Sequence, residues 1–252
     1  MTTSDRFSLG EQADFYDERW AHDADSDRLN GFQLARAAAI FEALSFLDLE
    51  FKIHNVQGFR VCDLGCGRGW MASQLASVGL VTGVDLSPSG VKLAAERWPH
   101  IRFECADILN WTTDQPFDLV VSSEVIEHIT EKERFVETVV RNLKPGGFAV
   151  ITTPNKRAKA AWASAGQLSQ PIEDWPSLGE LRTLFAPDFD VLSHKTFAHA
   201  YTYLGIHRYF SAPKLLNFFR RVGVLPAYQG IQASLGVGLH QVLIAQRKPR
   251  HR

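Results

Sequence analysis

The sequence predicts an α/β domain whose mostly parallel, doubly wound sheet carries helices on both faces. Three observations lead there. Residues 61–70 read VCDLGCGRGW, an apolar run that ends in an acid and three alternate glycines. Further short apolar runs follow at residues 80–85, 101–105, 117–121 and 148–152, with helical stretches among them, as parallel strands joined by crossovers require. Acids stand at or just past the strand ends, at Asp63, Asp85 and Asp107, the edge where open sheets of this kind bind ligands.

Each element has its own justification. Val61, Cys62 and Leu64 suit a buried strand, and Gly65, Gly67 and Gly69 allow a sharp turn at its carboxyl end. Met71, Ala72, Leu75, Ala76 and Val78 recur at helical spacing, so the turn opens onto a helix N-terminus. A second strand ends at Asp85, about 20 residues past Gly65, where such folds place the acid that binds both ribose hydroxyls. Asp85 also suits the cap of the helix expected over residues 87–98. A third strand leads to Asp107 and Ile108, where the acid could equally be a turn residue. The fourth strand, 117–121, is followed by SSEVIEH, and LKPGG at 143–147 reads as a turn before the fifth strand. Residues 189–197 and 240–246 read as a sixth and a seventh strand, separated by about 40 residues, too long for an ordinary connection. Before the first strand, residues 30–47 look helical, with Phe32, Leu34, Ala38, Phe41 and Leu44 as the apolar face.

The glycine spacing separates two ligand classes. A dinucleotide loop is GxGxxG, whose amides approach a pyrophosphate; here the spacing is GxGxG with Asp63 ahead of it. A carboxylate there suits a ligand carrying positive charge, although Asp63 also suits a solvated strand end. The stretch resembles the first motif of the class I S-adenosylmethionine (SAM) methyltransferases, D-x-G-x-G-x-G, matched by Asp63, Gly65, Gly67 and Gly69. LKPGG followed by an apolar strand and Thr-Pro is similar to the family as well. The resemblance implies a Rossmann-like sheet of seven strands, the last antiparallel, and SAM as cofactor with S-adenosylhomocysteine as product. It implies that Asp85 binds the ribose, that Asp107 contacts the adenine amino group, and that Ile108 packs on the ring. Cys66, Leu86, Ser123 and Glu124, in the same loops, complete the expected cofactor contacts.

Residues 1–57 form the expected helical lid and residues 58–252 the SAM-binding domain, with a substrate-side insertion at about 198–238. Residues 14–20, DFYDERW, resemble the opening of the ubiquinone-biosynthesis-type O-methyltransferases, in which this segment folds over the cofactor. That places Tyr16 and Trp20 against the cofactor and Arg36, on the next helix, near its methionine carboxylate. Tyr16 and Trp20 as helix core and Arg36 as a surface charge is the plainer alternative. In residues 194–209, HKTFAHAYTYLGIHRY, histidines and aromatics interleave without a clean period. Tyr201, Tyr203 and His207 are the expected substrate-binding residues there. Residues 214–221, KLLNFFRR, read as a short basic amphipathic helix, either a solvated face or one that touches a membrane or an anionic substrate.

Glu124, Glu127 and His128 are the expected catalytic residues. They lie within one turn past the fourth strand, the end that faces the transferable methyl in this fold. EVIEH occurs in the ubiquinone-type enzymes and in small-RNA 2′-O-methyltransferases, where these residues and a further histidine hold a divalent metal. The further histidine is not evident here; residues 170–175, QPIEDW, take its place. A metal is therefore not favoured, and His128 is expected as general base. A base matters more to an oxygen acceptor than to an amine, so O-methylation of a small molecule leads, with nitrogen and carbon acceptors open.

Composition fits that reading. Apolar content is 45% and net charge −1 over 252 residues, which gives no overall attraction for nucleic acid and argues against an RNA substrate. A catalytically silent SAM-fold partner is disfavoured by the intact glycines and acids. Cys62, Cys66 and Cys105 are expected as small core residues of a reducing compartment. Without an apolar span or a secretory leader, a cytoplasmic enzyme is expected. The sequence does not fix an oligomeric state.

Overall fold

The computed structural model of the protein describes residues 9–22, 29–159, 170–198 and 213–249. Tyr201, Tyr203 and His207 lie outside the described residues. Helices α1 (Leu9–His22) and α2 (Gly31–Phe51) precede strand β1 (Arg60–Leu64). There follow α3 (Trp70–Leu75), β2 (Leu80–Asp85), α4 (Pro88–Arg97), β3 (Arg102–Cys105), β4 (Phe117–Ser123) and α5 (Lys132–Asn142). The rest of the sheet comprises β5 (Leu143–Pro154), α6 (Leu178–Phe185), β6 (Phe189–Phe197), α7 (Pro213–Arg221), α8 (Leu225–Ser234) and β7 (His240–Arg247).

The seven strands run in the order β3-β2-β1-β4-β5-β7-β6. All pairings up to β4–β5 are parallel, and β7 is antiparallel to both neighbours. Chain order reverses between β1 and β4, so the strand ends there open a crevice. Apolar side chains cover both sheet faces. On one, Ile40 and Leu47 of α2 and Ala72 and Leu75 of α3 meet Val61, Val121 and Val150. On the other, Phe135 and Val139 of α5 and Leu181 and Phe185 of α6 meet Cys62, Val120 and Ile151. Each such Phe, fully buried, contributes roughly 1.5–3 kcal/mol of transfer free energy.

Three sequence expectations are corrected. The buried face of α2 is Ala37, Ala39, Ile40, Ala43, Leu44 and Leu47, whereas Leu34 and Phe41 are 54% and 40% exposed. The helix is apolar on every side, so periodicity alone cannot choose its inner face, and small Ala39 and Ala43 point to the core. LKPGG is a bulge inside β5 rather than a turn before it: Phe117 pairs with Leu143 but Leu119 with Phe148, and Gly146 takes φ +78°. Cys105 is exposed on edge strand β3, while Cys62 and Cys66 are buried; all three are free thiols.

Candidate cofactor and acceptor site

Gly65, Gly67 and Gly69 follow β1 with φ of +85°, +50° and +76°, a path that side-chain-bearing residues rarely take. The amides of Gly65 and Cys66 donate to the Val84 carbonyl at 2.8 and 3.0 Å, tying the loop to β2. Asp85, at the end of β2, accepts from the Gly67 amide at 2.7 Å and the Ser87 amide at 3.0 Å. One carboxyl group therefore joins the two loops, and each oxygen keeps a further lone pair for a hydroxyl. Burial raises its pKa, partly offset by those amides. Leu86 follows, half-buried, and Cys66 is buried beneath the loop.

Asp63 sits deeper. It is 1% exposed, accepts from the Ala72 amide at the start of α3, and its Oδ2 has no partner among the described residues. Burial, then the neighbouring Asp85 charge, raise its pKa to about 7. Asp107 holds its own turn, accepting from the Leu109 amide and the Asn110 side chain at 3.0 and 2.6 Å, with Ile108 half-buried beside it. These features fit SAM. Orphaned Asp63 Oδ2 and the carboxylates around the loop favour cationic groups, and Asp85 has capacity for two hydroxyls.

Helix α1 lies across this edge. Asp17 accepts from the Ser89 amide at 2.7 Å and the Ser87 hydroxyl at 2.9 Å, and the Ser89 hydroxyl donates to the Asp17 carbonyl at 3.0 Å. The Trp20 ring fills the space that side chains on Gly67 and Gly90 would need, 2.9 and 3.0 Å from those Cβ positions. Tyr16, one turn earlier, meets the His128 ring edge-on with centroids 6.1 Å apart and donates to Gln170 Oε1 at 3.1 Å. A single short helix thus spans from the glycine loop to the end of β4.

At that end Ser123 shares a hydrogen bond with Thr152, Oγ to Oγ1, at 2.9 Å. Glu124 takes φ +59° as the chain leaves β4, and its amide donates to the Thr152 carbonyl. Its Oε2 lies 3.6 Å from Arg36 Nη1 and 3.1 Å from His240 Nδ1. Burial alone would raise this carboxyl, but His240 and then Arg36 outweigh it and hold the pKa at about 2. Glu127 behaves oppositely. Burial and the Glu124 charge push it well above the carboxylate range, and it accepts from Thr153 Oγ1 at 2.9 Å. Two neighbouring carboxyls are thus driven in opposite directions, Glu124 down and Glu127 up.

His128 is nearly enclosed, with 11% of its side chain exposed. Nδ1 lies 2.7 Å from the Ile172 carbonyl; a carbonyl only accepts, so Nδ1 carries the proton and Nε2 the lone pair. Nε2 faces Glu127 Oε1 at 3.7 Å. Burial lowers the pKa to about 4, despite the Ile172 bond and the Glu124 charge. The ring is therefore a neutral base at neutral pH. The Ile172 carbonyl orients it through Nδ1.

Several contributors were not singled out from sequence. Asp17, Ser87 and Ser89 dock α1; Ile172 orients His128; His240 approaches Glu124 from the first position of β7. His240 is 5% exposed, stacks on Phe197 with centroids 5.5 Å apart, and neither ring nitrogen has an aligned hydrogen-bond partner among the described residues. A lone histidine opening a strand gives no local signal; the antiparallel register that sets it opposite Pro154 brings it to the site. Arg36 reaches Glu124, an ion pair its helix position did not announce. Among the described residues, no group of three His, Cys, Asp or Glu side chains has metal-binding geometry.

The sequence model of the "Methyltransferase domain" family matches residues 55–206. A ubiquinone biosynthesis O-methyltransferase of Coxiella burnetii is 35% identical over 112 residues, 42% of this chain and 48% of that protein. The chain thus spans about half the length of the curated relatives it matches. Among solved structures, a SAM-dependent methyltransferase of Mesorhizobium loti aligns with TM-score 0.54 and 21% identity over 75% of this chain and 91% of that one. The N-methyltransferase NodS of Bradyrhizobium japonicum with S-adenosylhomocysteine aligns with TM-score 0.58 and 16% identity over 93% and 99%. At such identities the structures share the fold alone.

Proposed function

The chain belongs to the methyltransferase-domain family, with SAM as cofactor, and from that premise we propose that it methylates a small-molecule acceptor at oxygen. When bound, SAM supplies a methyl group on a positively charged sulfur, a good leaving group. The observation that carries the oxygen assignment is His128, a buried neutral imidazole whose proton-free Nε2 lies at the end of β4. An oxygen acceptor must lose a proton as its bond to the methyl carbon forms while the carbon–sulfur bond breaks, its electron pair going to sulfur. His128 Nε2 takes that proton, and the Ile172 carbonyl stabilises the charged ring through Nδ1. The O-methyltransferase name of the Coxiella burnetii relative supports the same reading, over the part of that protein the chain covers.

The other residues position. Asp85 and the glycine loop bind the nucleoside end, with Asp107 and Ile108 beside the base. Tyr16 and Trp20 of α1 close over the edge and exclude water, the lid role. Glu124, held ionised by Arg36 and His240, would supply fixed negative charge to favour the cofactor's positively charged sulfur. The test is incubation with deuterium-methyl SAM and a panel of phenols and primary amines, read by mass spectrometry. Label on phenolic oxygen supports the proposal; label confined to amines defeats it.

A further inference from the structure

The last quarter of the chain has a charge pattern that methyl transfer does not use. No Asp or Glu follows Asp190, yet nine of the 27 Lys and Arg residues do. All 28 acids share the first 190 positions with the other 18 cations, so the net charge of −1 conceals a strongly one-sided segment.

Within it, α7 and α8 connect β6 to β7 at the site's edge of the sheet. They are anchored on one side: Thr196 Oγ1 donates to the Ala233 carbonyl at 3.4 Å, and Arg157 Nη1 to the Leu235 carbonyl at 3.1 Å. Phe219 rests on Tyr228 with centroids 4.7 Å apart. Among the described residues, the other sides are bare. Lys214, Phe218, Arg221 and Val222 fall at i, i+4, i+7 and i+8, one exposed face on which Phe218 and Val222 are 56% and 51% exposed. Ile231 of α8 and Leu235, the residue that caps it, form a second stripe, each 60% exposed.

We propose that this α7–α8 face docks on the surface of an anionic lipid bilayer. The apolar side chains enter the headgroup boundary, while Lys214 and Arg221 keep their charges at lipid phosphates and bury their stems. No carboxylate on either helix opposes the contact. No described helix is long and apolar enough to cross a membrane, so the helices lie on the surface. A nucleic acid would use the cations but leave Val222, Ile231 and Leu235 bare in water, so lipid accounts for more of the face. The proposal is independent of which acceptor the enzyme methylates.

The test is cosedimentation of the full chain with phosphatidylcholine vesicles, with and without phosphatidylglycerol, at low and high salt. Binding to the mixed vesicles that salt weakens is expected. The double change Lys214→Glu and Arg221→Glu should weaken it roughly 25-fold or more, at about fivefold for each cation lost. Phe218→Ser with Val222→Ser should weaken it as well, while SAM binding by calorimetry stays unchanged and shows that the variants fold. Equal binding to neutral vesicles, or anionic binding untouched by the serine changes, overturns the proposal. So does RNA binding that matches the vesicle affinity and ignores the serine changes, which would make the face a nucleic-acid surface.

Discussion

Asp85 and Glu124 each end a strand at the same edge of the sheet and each carries a buried carboxyl group, but they are held by opposite means. Asp85 is gripped by backbone amides of two adjacent loops, and burial raises its pKa. Glu124 is gripped by side chains from distant elements, Arg36 of α2 and His240 of β7, and is driven down to about 2. The cofactor half is thus a property of backbone path, set by three glycines within five residues. The proposed acceptor half is a property of tertiary assembly: α1, α2, the turn after β4, the segment at Ile172 and β7 must all be in place. Changes at the first should act on cofactor affinity; changes at the second should act on turnover.

The largest expected effect lies on the acceptor side. His128→Ala should lower kcat about 10²–10⁴-fold, the ordinary worth of a general base, while the SAM dissociation constant stays within twofold or so, a rough bound from the separate contacts. The wild-type kcat–pH profile sharpens this. A buried imidazole with pKa about 4 keeps the base form through the usual working range, so the acid limb should fall near pH 4 rather than near 6.5. A limb centred at 6.5 would count against His128. The same shift bears on stability. The unfolded chain takes up the histidine proton below about 6.5 and the folded one only near 4, so His128 makes stability fall as pH drops through that window. Asp63, raised to about 7, opposes it: the folded state holds the proton longer, so its part of the stability is lost as pH rises from about 4 through 7. Thermal melts of Asp63→Asn against wild type at pH 5 and pH 8 separate the two, with the variant relatively more stable at the higher pH.

Next comes the cofactor side. Asp85→Ala should weaken SAM binding by about 1.5–3 kcal/mol, the range for hydrogen bonds to a charged group, or roughly 10- to 150-fold by calorimetry. Because Asp85 also ties the Gly67 and Ser87 amides, Asp85→Asn should retain part of the affinity. An alanine variant with wild-type affinity would remove Asp85 from the site.

The same division decides what could be read from the sequence. β2 and β6 fall where the apolar runs placed them, and Asp85 meets Gly67 because the loop and strand spacing is local. The inner face of α2 was hidden, since Leu34 and Phe41 are as apolar as Ile40 and Leu47. His128 was legible as a candidate, but its orientation by Ile172, 44 residues away, was not, because no sequence period links a carbonyl to a ring nitrogen. His240 was missed for the same reason: a register of seven residue pairs between β5 and β7, not a motif, delivers it.

The smallest expected effect probes the helix that joins the two halves. Asp17 is half-buried at the edge of the fold, and its bonds to Ser87 and Ser89 add only modestly to global stability. They nevertheless fix α1 one turn before Trp20, which packs on Gly67, while the neighbouring Tyr16 reaches His128. Asp17→Ala should therefore leave the melting temperature nearly unchanged and lower kcat by a few-fold, as a lid that closes less often does. KM for SAM should rise by a similar factor, since loop closure favours both cofactor and turnover. Asp17→Asn keeps an acceptor oxygen for the Ser89 amide and should recover most of the loss. If the alanine variant is kinetically wild type while Trp20→Ala is impaired, Trp20 packing on Gly67 positions α1 without help from Asp17. If both are wild type, α1 takes no part in closing the site and the acceptor half stands without it.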